Sequence, residues 1–214
     1  LNVVTGLGEE AGKALALHND VDKIGFTGSV EVGKLMMVYS GQSNMKRVTT
    51  ECGGKTPQIV LGDVPDLDTA VQYAVDGIYG NQGEVCNAGS RLLVEQKILD
   101  EFTERFREKS KAAFAPGDPL DPATTMGPLV TAEHQQRVLG YVEIGKQDGA
   151  TLDFGGGVPS GFERGCYVEP TLFTRVNNGM RIAREEIFGP VASILPVRDA
   201  NDAIAIANDS IYGL

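Results

Sequence analysis

The stretch "KIGFTGSVEVGKLMMVYS", Lys23 to Ser40, sets a β-rich run, a Gly-Ser turn and a helix-like run in succession, and "RVTTE", Arg47 to Glu51, is strand-like again. The same alternation extends along most of the chain. "LNVV" precedes "EEAGKALALH", "PQIVLG" precedes "LDTAVQYAVDGIYG", and "RLLVE" leads into "KILDEFTERFREKSKAAF". In that last run Ile98, Phe102, Phe106 and Ala113 fall near helical spacing with charges between them. "TAEHQQRVLGYVEIGKQDG" reads as a helix closed by Gly149, and "YVEPTLFTRV" and "ASILPVR" read as strands ahead of the helix-like "ANDAIAIAN". Strand–helix alternation implies βαβ units, hence an α/β fold of αβα layers around a parallel sheet. Ligands on such sheets sit beyond the carboxyl ends of strands, so the turns after strands are where chemistry is expected. Residues 115–128 and 154–165, rich in Pro and Gly, read as loop excursions.

The bulk properties narrow the function class. With 214 residues, 42% hydrophobic and 22% charged, the chain can bury a real core. A net charge of −10, with 19 Lys+Arg against 29 Asp+Glu, disfavours nucleic acid as a partner and argues weakly against anionic membranes. No apolar run approaches the ~20 residues of a bilayer span. Cys52, Cys86 and Cys166 are too few and too scattered for a disulfide framework, which points to a reducing, cytoplasmic-type compartment. The chain opens directly on "LNVV" and stops at "IYGL"; both ends read as cut, so an internal fragment is expected.

Four motifs could carry chemistry. "FTGSVEVG" is a strand–turn–helix junction at which unsatisfied N–H groups would suit a pyrophosphate, with Gly28 permitting close approach. Ser29 there could equally be only an N-cap. "RVTTECGGKTP" puts Glu51 at a strand end before two glycines. If buried it would be a base usable near neutral pH; otherwise it is a solvated or Lys55-paired acid. "NQGEVCNAGSR", Asn81 to Arg91, surrounds Cys86 with small and polar residues, which suits either a tight turn carrying a thiol or a thiol left open to attack a carbonyl. The Cys86 backbone N–H could then face the resulting oxyanion. "REEIFGPV" offers acids for ribose hydroxyls, or merely a helix end stopped by Pro190. His18 and His134 fall in helix-like runs far along the chain from Cys86, so a cysteine–histidine pair has no local support. No metal-ligand spacing occurs.

"FTGS", "ECGGK", "NQGEVCNAGSR" and "EEIFGPV", in this order, resemble the NAD(P)-dependent aldehyde dehydrogenase superfamily, and the likeness runs through essentially the whole chain to "NDSIYGL". The resemblance implies residues 1–54 as the end of the nucleotide-binding domain and 55–214 as most of the catalytic domain. It implies Cys86 as nucleophile and Glu51 as general base. Gly28, Ser29 and Gly33 would lie at the pyrophosphate, Cys52 near the nicotinamide through its main chain, Glu186 on the nicotinamide ribose and Phe188 beside the nicotinamide. It further implies NAD as cofactor, with NADP left open, an aldehyde substrate, and a homodimeric or homotetrameric parent protein. Two positions depart from the family pattern. Cys52 stands where leucine is commoner. Glu84 stands where glutamine is usual, adding negative charge near the thiol.

The overall likeness is greatest to the branch acting on betaine aldehyde and aminoaldehydes. Residues that resemblance assigns to the oxyanion hole and the adenosine lie outside the chain, so the isolated piece is expected to turn over little. The competing readings are a non-catalytic relative on the same fold and a cofactor-independent cysteine hydrolase.

Overall fold

A computed structural model describes all 214 residues. The chain divides into two compact units, Leu1–Gly53 and Gly54–Leu214. In the first, a π-helical turn at Gly8–Gly12 runs into α1 (Lys13–Leu17), followed by β1 (Lys23–Gly28), α2 (Val30–Gln42) and β2 (Arg47–Cys52). β1 and β2 pair in parallel from Lys23 opposite Arg47 to Gly28 opposite Cys52, with α2 as the crossover that parallel pairing demands. Ser29 opens α2 by accepting from the Val32 N–H at 3.3 Å, which satisfies one of the free donors of the first turn. Gly33 lets the helix lie against β2, because a Cβ there would stand 2.8 Å from Cys52 Sγ. Lys46 is buried, and its Nζ donates to Ala16 O at 2.7 Å and Ser43 Oγ at 2.6 Å, tying the end of α1 to the α2–β2 turn.

Leu1–Val4 form no strand, contrary to the reading of "LNVV". Val3 and Val4 are exposed and the segment has no neighbour to complete a ladder, so β propensity alone does not fix its conformation.

The second unit runs β3 (Pro57–Val60), α3 (Leu67–Tyr79), β4 (Arg91–Glu95), α4 (Leu99–Ala113), α5 (Ala132–Gln147), β5 (Thr151–Phe154), β6 (Thr171–Thr174), α6 (Arg181–Arg184), β7 (Val191–Val197) and α7 (Ala200–Asn208). Its sheet has the order β3-β4-β7-β6-β5. All pairings are parallel except that of β5, a four-residue edge strand too short to stand out in the sequence. Successive residues of β4 serve opposite faces. Leu92 and Val94 join Leu172, Ala192 and Ile194 under Val71, Val75 and Ile78 of α3 and Phe102 and Phe106 of α4. Leu93 joins Phe173, Val191, Leu195 and Val197 under Val138 and Val142 of α5, Ile182 of α6 and Ala203 of α7. This is the layered α/β arrangement that the alternation implied. Asp66, Thr131 and Asp199 cap α3, α5 and α7, and Gly149, at φ 91°, turns the chain out of α5.

Arg91, the first residue of β4, is only 1% exposed. Its Nε donates to Lys55 O at 2.8 Å, Nη1 to Asn178 Oδ1 and Ile206 O at 3.1 Å each, and Nη2 to Ala207 O at 2.9 Å. One guanidinium therefore holds the segment before β3, the loop before α6 and the negative C-terminal end of α7. Arg91→Met keeps the length and removes every donor, leaving buried carbonyls unpaired. Chemical unfolding is expected to show a loss of about 3 kcal/mol or more. Arg105→Met, which removes exposed ion pairs to Glu101 on α4 and Asp68 on α3, is expected to cost about 1 kcal/mol or less.

Candidate active site

Beyond α3 the backbone passes through three consecutive left-handed residues, Asn81 (φ 48°), Gln82 (φ 57°) and Gly83 (φ 70°). The first two carry the steric cost of that conformation, of order 1 kcal/mol each. Gly83 is required twice over, since a Cβ there would lie 2.3 Å from Gly189 O. A turn follows in which the Ala88 N–H donates to Val85 O at 3.0 Å, placing Cys86 and Asn87 at its tip. The Cys86 N–H is outside that turn's own hydrogen bond. The far side of the turn is pinned by Gln58 of β3, whose Nε2 donates to Gly89 O at 2.9 Å and Ala74 O at 3.1 Å. Cys86 thus lies between α3 and β4, on a loop that leads into the N-terminal end of β4 and is held by Gln58 of β3.

Cys86 is a free, partly buried thiol. It lines a narrow cleft, with a cavity volume of only about 10 Å³, together with Gly54, Ser90, Glu186, Phe188 and Gly189. Gly54 presses on it: a Cβ at that position would come within 2.8 Å of Cys86 O and 2.7 Å of Leu214 O. The Gly54 N–H also donates to Glu186 Oε1 at 3.4 Å. The Glu186 main chain is fixed from both sides, its N–H donating to Tyr212 Oη at 3.3 Å and its carbonyl accepting from Arg137 Nη2 at 2.9 Å. Phe188 is left-handed at φ 61° and 37% exposed. The neighbouring Glu185 points elsewhere. The Arg181 guanidinium, at 2.8 Å, and the Tyr141 hydroxyl hold its carboxyl below the usual carboxylate range.

Two buried or half-buried groups adjoin this cleft. Lys55, 1% exposed, has its pKa pushed down to about 7 by burial and by the Arg91 cation, against the opposing pull of Glu186 and Glu185. Glu84, two residues from Cys86, accepts from the Val130 N–H at 3.2 Å and lies 3.6 Å from His134 Nε2.

Cys86, Glu186 and Phe188, three of the residues singled out in the sequence, therefore line one cleft. Gly28, Ser29, Gly33 and Cys52 form one strand–helix junction in the first unit. A Cβ at Gly28 would meet the Phe26 ring at 2.6 Å, and Cys52 Sγ lies 3.8 Å from Ser29 O. Glu51, paired with Thr27 at the end of β2, is exposed, so the burial that would favour it as a base is not present. Lys55, read as a counter-ion for Glu51, faces Arg91, Glu186 and Glu185. His18 ends α1, whereas His134 reaches the Cys86 loop through Glu84. The sequence reading missed Arg91, Arg137 and this role of His134. Only the glycine pair before Lys55 hinted that the chain there is closely packed.

The pattern described as the aldehyde dehydrogenase family matches residues 1–214. Human aldehyde dehydrogenase 1A1 is 48% identical over 214 residues, which is 100% of this chain and 42% of that protein. The P. syringae indole-3-acetaldehyde dehydrogenase, solved with NAD+ and IAA, superposes with a TM-score of 0.95 at 53% identity, covering 98% of this chain and 42% of that one. The γ-glutamyl-γ-aminobutyraldehyde dehydrogenase of Burkholderia cenocepacia superposes with a TM-score of 0.92 at 51% identity, covering 96% and 41%. The chain thus spans about two-fifths of the length of these relatives.

Lys55 gives the fold a pH dependence of defined sign. Its folded pKa of about 7 lies below its ordinary 10.5. Between those values the unfolded chain binds a proton that the folded chain does not, so stability rises with pH. Below the lower value both states are protonated and the full cost of the buried charge is felt. Lys55→Met is expected to be more stable than the parent sequence at pH 7 in urea unfolding, with the gap narrowing towards about pH 9.5. A constant gap would contradict the assignment.

Proposed function

Because the chain belongs to the aldehyde dehydrogenase family, we propose that its full-length protein oxidises an aldehyde to a carboxylic acid with NAD(P)+, and that Cys86 is the nucleophile. The observation that carries this reading is the cleft that Cys86 shares with Glu186 and Phe188. The residues suit a dinucleotide. The Glu186 carboxylate can accept from ribose hydroxyls and the half-exposed Phe188 offers an apolar face; in the first unit, taken by itself, the start of α2 offers N–H donors of the kind a pyrophosphate takes. Gly33 and Cys52 shape that last junction through the close contact already described.

In the proposed reaction the Cys86 thiolate adds to the carbonyl carbon and gives a thiohemiacetal. The Cys86 N–H is a donor for the oxyanion. When bound, the nicotinamide supplies the hydride acceptor that turns this adduct into a thioester. Glu51 then takes a proton from water, whose oxygen attacks the thioester carbon; the acid leaves and the Cys86 sulfur is freed. A cysteine hydrolase reading is not favoured, because His134 Nε2 is engaged by Phe188 O at 2.6 Å.

NAD is the proposed cofactor, by analogy with the P. syringae relative solved with NAD+. The aldehyde itself is open, since one relative is an indole-3-acetaldehyde dehydrogenase and another a γ-glutamyl-γ-aminobutyraldehyde dehydrogenase. The aminoaldehyde branch is our preference. A homodimeric or homotetrameric parent in a cytoplasmic compartment belongs to the same proposal, as does weak turnover by this chain alone.

Two variants of the full-length protein test the roles. Cys86→Ala is expected to lower NADH production at least about 1000-fold. Glu51→Gln is expected to retain a burst of about one NADH per active site while steady-state turnover falls about 100-fold or more. Loss of burst and steady state together would remove Glu51 from the hydrolytic step.

A further inference from the structure

Phe188 combines two features that do not sustain each other. Its backbone is left-handed at φ 61°, a conformation a bulky residue adopts only when its surroundings enforce it. Yet the residue is 37% exposed, so burial of its side chain does not enforce it. The hydrogen bonds of the segment show what does. His134 Nε2 lies 2.6 Å from Phe188 O, and Arg137 Nη2 donates to Glu186 O at 2.9 Å. Both donors come from the first turns of α5, three residues apart and so on one face. They take alternate carbonyls of the segment that forms one wall of the cleft. The His134 ring also lies edge-on to the Phe188 ring, at 6.0 Å and 66°.

The same nitrogen faces the opposite wall. Glu84 Oε1 is 3.6 Å from His134 Nε2 and accepts from the Val130 N–H just ahead of α5. The side chains of His134 and Glu84 are 14% and 11% exposed, so this contact is largely shielded from water. Because Nε2 must be the protonated nitrogen to donate to Phe188 O, the Glu84 carboxylate favours the required tautomer and orientation. The carboxylate at position 84 therefore acquires a use that a neutral amide would fill less well.

We infer that His134, oriented by Glu84, is a positioning residue that clamps the Phe188 wall to the Cys86 loop and so sets the cleft for the nicotinamide end of the cofactor. The inference rests on the proposed dehydrogenase reading for the identity of that cofactor, while the clamp itself concerns only this chain.

The test uses the full-length protein and three variants. His134→Phe keeps a ring and removes the donor; His134→Gln restores an N–H of similar reach; Glu84→Gln removes the carboxylate. NAD affinity is read by titration calorimetry without aldehyde, and the clamp by the rate at which iodoacetamide alkylates Cys86 without cofactor. His134→Phe is expected to weaken NAD binding at least fivefold and to change the alkylation rate at least threefold. His134→Gln should fall within twofold of the parent on both, and Glu84→Gln between the two. A His134→Phe protein that melts lower but stays within twofold on both readouts would reduce His134 to a merely structural role and overturn the inference. If the parent binds no NAD, the dehydrogenase reading fails, and the alkylation rates alone decide the clamp by the same thresholds. If His134→Phe does not fold, His134→Ala carries the same comparison.

Discussion

The second unit is organised around one buried positive charge. The Arg91 guanidinium sits at the start of a central strand and spends its donors on Lys55 O, Asn178 Oδ1 and the last carbonyls of α7. A neutral side chain could fill that volume but could not satisfy these acceptors at once. The charge also acts at a distance. It helps push Lys55 towards neutrality, while Glu186 and Glu185 pull the other way. Behind the cleft there is thus an electrostatic balance in which the fixed cation is structural and the titratable one is coupled to the Glu186 carboxylate.

The cleft itself is shaped by close backbone approach. Gly54 lies against Cys86 O, Gly83 against Gly189 O, and Gly89 against the Gln58 amide. At Gly54 and Gly83 the opposing atoms are backbone, so no larger residue fits there. Together with the left-handed Asn81, Gln82 and Phe188, these contacts give a turn that holds its thiol at a fixed place by steric necessity. Local strain of this kind persists only where the surroundings over-determine it. Here the surroundings are Gln58, the first turns of α5 and the 186–189 segment.

Much of this architecture is legible in the sequence because it depends on periodicity. The strand–helix alternation, the Phe102 and Phe106 spacing and the Gly149 exit from α5 follow from local rules. Local rules also misled. "LNVV" has strand composition but no partner, and β5 has a partner but little composition. At the site, Cys86, Glu186 and Phe188 stood out because their neighbours are unusual for their surroundings. Arg91 and His134 did not, because a lone arginine or histidine takes its meaning from contacts 30 to 120 residues away, such as Arg91 with Ala207 (|i−j| 116) and His134 with Phe188 (|i−j| 54). Glu51 could be read in the sequence either as a buried base or as a solvated acid at a strand end, and only the structure shows that it is exposed.

The chemistry turns on whether the Cys86 sulfur carries an acyl group during turnover. Full-length protein quenched with acid while oxidising an aldehyde in the presence of NAD, then digested and mapped by mass spectrometry, answers that directly. An acyl adduct of the aldehyde's carbon skeleton on the Cys86 peptide is the predicted result. NADH formation with no adduct there, or with the adduct on Cys52 or Cys166 instead, would contradict it.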